Sequence, residues 1–499
     1  MRNKFAILSL VLIGGILMYT KIGWQPKPST ATMITADRLN HMDEGIYQAH
    51  VQMENIEKST LRKTLNERQN MKLLRKYDLP TTFEFKPPVT IYYDGINFYT
   101  DYKKEKFKNA STKTYYVSPN GNNSNNGLSE SAPVKSFSEA ISRASNNDTI
   151  ILLDGDYTRD NSVDGIVINK NLNIIGQGNV RVFMGNKLTY TKAAGYNYVY
   201  QATRSNVAKA IDISIKEGIE LTEVSSLEEC DQLEGSWYKN GNDFYVHAFD
   251  GGVPNNVIAL LSVNSWIISN ASQVINVYIE NVNLYGGQAG TLSVNPESNN
   301  NTFVCLDNVG LYHGVGKGTN GNMLNGYTGT IILHKVVAMY GEKDGFNYAK
   351  TSLSSNSNYP KPQFIEIDCI GANNGLKNQT IGQDASNNGS TAHSGVQGIR
   401  INGKYYNNMG GNVADVEEGT KTVNLGCEAY DSACDYYSEK STDFTAQQPG
   451  AEMWLDGCKS YNSKSNFNIY AISGTTMHLW NCMYDVITGL GTKDIINPL

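Results

Sequence analysis

The sequence predicts an all-β protein, a right-handed parallel β-helix solenoid with an N-terminal capping helix, preceded by a membrane-anchor or signal segment and a helical stalk. Three observations carry this: segments that repeat at coil length, a slot in each that holds Val or Cys, and a turn-forming residue just before that slot. The segments are VYIENVNLY from Val277, VCLDNVGLY from Val304, IILHKVVAM from Ile331, IEIDCIGA from Ile365, VNLGCEAY from Val423, MWLDGCKSY from Met453 and MHLWNCMYD from Met477. The slot is filled by Val282, Val309, Val336, Cys369, Cys427, Cys458 and Cys482, with gaps of 27, 27, 33, 58, 31 and 24 residues. The gap of 58 fits two coils through the stretch GIRINGKYY.

Alternation at period two marks short strands with one buried face. The residues before the slot are Asn281, Asn308, Lys335, Asp368, Gly426, Gly457 and Asn481. All but Lys335 are types that tolerate a left-handed backbone. Each segment therefore reads as a strand, a sharp corner and a second strand on the same core. Parallel strands stack at about 4.8 Å per coil, so roughly thirteen coils make a rod about 60 Å long. The parallel-crossover rule sets the hand. INKNLNIIG from Ile168 extends the pattern upstream with a wider corner. Asn at roughly one residue in nine and 46 Gly suit a chain with a corner in every coil.

Length and charge exclude little else. The chain has 499 residues, 18% of them charged, and a net charge of −6 without a Lys/Arg-rich run, which argues against nucleic acid as a partner. At the amino terminus Arg2 and Lys4 precede the apolar run FAILSLVLIGGILMY, so residues 1–24 read as a signal-anchor or a signal peptide, with Ser29-Thr30-Ala31 the nearby cleavage candidate. Either reading exports the rest, to the cell surface or beyond. Residues 25–112 read as a helical stalk and linker. Leu39, Met42, Ile46, Ala49, Met53 and Ile56 fall at heptad spacing, giving either a coiled coil that makes a homo-oligomer through residues 39–56 or one amphipathic helix on the main domain. Pro87-Pro88 and the Lys103–Lys108 cluster read as linker.

Residues 113–499 read as the β-helix domain. Its first coil needs a cover, and Ser136-x-x-Glu139 is a capping-box pattern ahead of Phe137, Ala140, Ile141 and Ala144 at helical spacing. A helix over 136–145 is expected, then a strand at Thr149–Leu153. Tyr115-Tyr116-Val117-Ser118-Pro119-Asn120-Gly121, Asp148-Thr149-Ile150 and Gly155-Asp156-Tyr157 resemble the opening coil of the pectate-lyase-like superfamily. Gly235-Ser236-Trp237-Tyr238 with Tyr245-Val246-His247 resembles a β-hairpin insertion of related surface and phage-tail proteins. The resemblance implies the fold; the superfamily includes lyases, hydrolases, tailspikes and adhesins, so it implies no single chemistry.

A slot that accepts Val and Cys alike is small and buried, so Cys369, Cys427, Cys458 and Cys482 read as packing residues, with a Cys458–Cys482 bridge as the alternative. Tyr285, Tyr312, Tyr430 and Tyr461, each three residues after the slot, read as a stacking ladder.

Chemistry is expected on the long coils between Val336 and Cys458, where loops build a face. For β-elimination of a uronate polymer, Lys343 and His393 are candidate bases, and Arg400, on a strand, either neutralises the substrate carboxylate or pairs with a carboxylate on the next coil. A calcium held by Asp344, Asp415 and Glu417 would serve the same end, and lyases of the superfamily pair a basic residue with acidic calcium ligands. Asn347, Tyr348, Asn402 and Trp454 are the substrate-binding candidates. Polygalacturonase-like hydrolases carry an adjacent Asp-Asp pair that this sequence lacks, and Arg400-Ile401-Asn402 echoes their Arg-Ile-Lys only in part. The sequence thus points to a β-helix that binds or acts on an extracellular polysaccharide, alternatively to a non-catalytic adhesin or receptor-binding rod.

Overall fold

The computed structural model describes residues 8–13, 16–21, 74–270, 273–295, 302–316, 321–350, 361–375, 387–432, 441–463 and 468–496. Residues 74–499 form one compact unit and residues 1–73 another. In the second of these, Leu8–Ile13 pairs antiparallel with Ile16–Lys21. The described part of the run expected as a signal-anchor or signal peptide is thus a pair of strands, and no described helix is long and apolar enough to cross a membrane. The heptad seam of residues 39–56 lies outside the described residues.

The larger unit is a parallel β-helix. Among the described residues its first sheet stacks twelve strands, beginning at 114, 148, 172, 276, 303, 330, 363, 397, 421, 452, 476 and 492. After a corner a second set of strands follows the same order, and a third sheet runs from Val167–Ile168 to Ile487–Thr488. Asn281, Asn308, Lys335, Asp368, Gly426, Gly457 and Asn481 all adopt positive φ, between 51° and 65°, as the slot pattern requires. Asn402, at φ 52°, supplies the corner of the coil hidden in the gap of 58. Its slot is Gly403, because a Cβ there would lie 2.3 Å from the Tyr405 hydroxyl. The wider upstream corner is the register break between Ile175 and Val180 in the strand Leu172–Phe183.

The slot cysteines are free thiols, not bridged. Each donates back to a carbonyl of the preceding coil: Cys369 to Leu333, Cys427 to Arg400, Cys458 to Asn424 and Cys482 to Leu455. The tyrosines stack as expected, Tyr285 on Tyr312 at 5.1 Å and Tyr430 on Tyr461 at 5.0 Å, with Tyr406 joining Tyr430. Residues 185–263 form an insertion of two small sheets, including the antiparallel hairpin Ser236–Asn240/Asp243–His247. Ile211, Ile213, Ile258 and Leu260 from it pack over Phe183, Tyr285 and Tyr312. The capping helix spans Phe137–Arg143 and stacks Phe137 on Trp266 at 4.6 Å. The capping box does not form: Glu139 pairs with Arg143 instead, and Asn123 Oδ1 accepts from the Lys135 and Ser136 amides.

The stretch expected as stalk and linker is corrected from residue 74 onward. Residues 74–109 are an arm docked on the outside of the first sheet, where Phe83, Phe85, Val89, Ile91, Phe98 and Phe107 bury against the outward column Tyr278, Cys305, Ile332, Ile365, Ile399, Val423 and Trp454. Removing this much apolar surface from water drives docking at roughly 25 cal/mol per Å². Polar contacts set its register. Tyr77 donates to Asp456 at 3.0 Å, Gln397 accepts from the Glu84 and Phe85 amides, and Asn402 donates to the Phe98 carbonyl. Lys104 and Lys108 pair with Glu280 at 2.5 and 2.6 Å, and the Asn109 amide donates to Asn173.

Candidate functional site

Arg400 sits on the strand Gln397–Ile401, where Ile399 and Ile401 point out to the arm and Arg400 points into the rod. It is 0% exposed, as are Glu366, Ser390, Asp415, Thr422 and Asn424 around it. Its Nε donates to Ser390 at 2.7 Å, and its Nη1 contacts Asp415 at 3.4 Å, Thr422 at 3.2 Å and Asn424 at 3.2 Å. Glu366 lies 3.8 Å away and accepts from Ser390 and Tyr405. The guanidinium also lies over Phe364, whose ring has room because residue 398 is Gly. Burial raises the pKa of both carboxyls, that of Asp415 to about 6, against the pull of Arg400. A fully enclosed ion cluster cannot touch a polymer. As site residues at the surface, Arg400 and Asp415 are therefore corrected to interior packing.

The other expected site residues do not converge. Asp344 is buried in a turn, its Oδ1 taken by the Asn388 amide at 2.7 Å, while Lys343 beside it is half-buried. Asn347 donates to Asn325 at 3.2 Å on the third sheet. Tyr348 is enclosed, stacked on Phe364 at 3.8 Å. Asn402 is a corner residue that bonds Asp368 and the arm. Trp454 is 3% exposed, wedged between Phe83 and His478. His393 contacts Thr391 at 3.1 Å, with burial lowering its pKa against the nearby Glu417. Glu417 accepts from Ser394 at the next corner. Asp344, Asp415 and Glu417 thus have separate partners and form no calcium set. Among the described residues no group of three or more His, Cys, Asp or Glu is placed to hold a metal ion.

The structure brings a different set together. One outward column of the first sheet, just before the apolar column under the arm, reads Thr330, Gln363, Gln397, Lys421, Glu452 and Thr476 in six successive coils. All six are half-buried and none is apolar. Stacked at about 4.8 Å, they make a polar stripe along the rod of roughly 24 Å. The arm walls one side through Glu84 and Thr82, whose carbonyl accepts from Lys421. The corner between third and first sheets walls the other. At one end this closes into a cleft of about 370 Å³ lined by Glu84, Thr330, Lys361, Gln363, Gly395 and Gln397. At the opposite end the arm stops, and His478 lies between Glu452 at 3.0 Å and Asp494 at 3.3 Å. Lys421 completes the chain with Glu452 at 3.3 Å. Sequence reasoning missed this column because the repeats were aligned from their first apolar residue. The polar residue opening each strand was the available signal.

No family model matches the chain, and no curated protein matches it. Solved structures similar to it include a complex of XylC with xylose, at 11% identity and TM-score 0.48 over 74% of this chain and 70% of that one. A glycoside hydrolase is similar at 8% identity and TM-score 0.44, over 77% of this chain and 96% of that one. Pectate lyase Pel9A is similar at 14% identity and TM-score 0.35, over 71% and 80%. These are likenesses in the course of the backbone alone and assign no residue a role.

Proposed function

We propose that the protein is an exported β-helix that binds an extended polysaccharide along the polar stripe and acts on it at the His478 end. The observation that supports this is the stripe itself: a hydrogen-bonding side chain in each of six coils, in a groove parallel to the rod axis. A polymer of repeated hydroxyls matches a repeat of amide, hydroxyl and charged groups, each bond adding about 1 kcal/mol. Glu452, His478 and Asp494 place acid–base groups where the groove opens. A second reading, a glycan-binding rod without catalysis, draws support from the enclosure of Arg400 and Asp415. The test is incubation of the full chain with neutral and uronate polysaccharides, with and without calcium. Retention of a polymer with new chain ends, lost in Glu452→Gln and His478→Ala, is expected. Retention without new ends selects the second reading, and no retention of any polymer overturns both.

A further inference from the structure

We infer that the groove takes an uncharged or amino-bearing glycan and not a polyuronate, an inference that rests on the proposed function of the same groove. A polyuronate carries a carboxylate on every sugar, so a groove that holds it needs unpaired cations at a comparable spacing. The six-coil stripe contains one cation, Lys421, and that one is engaged by Glu452 at 3.3 Å and by the Thr82 carbonyl at 3.2 Å. In the cleft Lys361 shares the walls with Glu84. At the open end Asp494 is 53% exposed and adds a further negative charge beside Glu452.

The guanidinium nearest this column in sequence, Arg400, is three residues from Gln397 but faces the opposite side of the sheet, enclosed with Glu366 and Asp415. It cannot neutralise a bound uronate, which β-elimination requires before the α-proton can leave. What the stripe offers instead is Thr330 and Gln363, neutral groups that both donate and accept, and the amide Nε2 of Gln397, whose Oε1 is taken by the arm. Such a surface pairs with sugar hydroxyls, while the carboxylates of Glu84, Glu452 and Asp494 oppose a polyanion.

The test is affinity electrophoresis of the full chain in gels containing xylan, β-glucan, mannan, chitosan, polygalacturonate or alginate, at about 50 and about 300 mM salt. Retention by at least one of the first four is expected. For a neutral polymer it should change less than about twofold between the two salts, since screening has little to act on. Gln363→Ala should weaken that retention by up to about tenfold, the loss of one or two hydrogen bonds. Polyuronate retained more strongly than every other polymer and released by salt, or unsaturated uronate products, would overturn the inference while leaving a polysaccharide function in place. Retention by none of the six overturns the function itself.

Discussion

Between the strands at 172 and 330 the rod is filled by Ile174, Val182, Ile279, Leu284, Leu306, Leu311 and Leu333. From the strand at 363 onward, Glu366, Asn374, Arg400, Asn408, Asn412, Asp415, Asn424 and Asp443 hold inward places, all without exposure. Asn374 Nδ2 donates to Asn408 and Asn408 Nδ2 to Asn412, which in turn reaches Asp443 at 3.0 Å. Asp443 also accepts from Ser432, Ser460, Ser463 and Asn468 and has no cation among these partners. Both fillings give the same coil. The aliphatic half rests mainly on shape, whereas the polar half depends on its hydrogen-bond partners, because a group newly orphaned in the interior keeps its full desolvation cost.

Breaking the contrast should therefore be easiest in the polar half. Arg400→Ala leaves Glu366 and Asp415 facing each other without a cation and should cost about 3–5 kcal/mol, read from the denaturant midpoint. Adding Glu366→Gln and Asp415→Asn should recover much of that loss. If the single variant is as stable as the parent, the polar half is not held by its charges.

Next in size is a pH effect. Burial raises Asp443 from 3.8 to about 6, against its hydrogen bonds. The folded state then holds a proton that the unfolded state has released. Stability is greatest below about pH 4 on this account and falls as pH rises through 6, by about 3 kcal/mol in all. In Asp443→Asn that slope should flatten, since serine hydroxyls rotate to suit the amide. Melting temperatures at several pH values read it, and an unchanged slope would remove Asp443 from the account. The smallest effect belongs to the aliphatic half. Ile279→Val should cost only about 1 kcal/mol, with no pH dependence beyond the parent's.

Corners and slots are legible in the sequence because geometry restricts them to a few residue types. Asn281 and Asn308 can be read as left-handed, and Cys427 as packing, from the residue alone. Arg400 stays open between a carboxylate-paired strand residue and a binding residue, because a period of two says which residues share a face but not which face is inside. Ile399 and Ile401 on either side of it point outward under the arm, which turns Arg400 inward to Glu366 and Asp415. The arm was illegible for the matching reason. Phe83, Phe85 and Phe98 follow no period, since an extended strap meets its partner one side chain at a time. A trace of it existed in Ile331-Ile332-Leu333 and Phe364-Ile365, strands apolar on both faces, which implies that something covers the outside.

The arm also decides where the larger unit can be gripped. It starts beside Asp456, runs back over eight first-sheet strands to Asn173, and only then does the chain wind its first coil at Thr114. Residue 74 and the last described strand, Thr492–Ile496, consequently belong to the same end of the unit. Traction on residue 74 would load Tyr77 and Phe83 first and strip the strap coil by coil, in the weak direction, as tape lifts from a surface. The same strap fastens the coils from 397 to 456 from outside, so fraying from the finishing end has to lift a clasp before it can unwind the spiral.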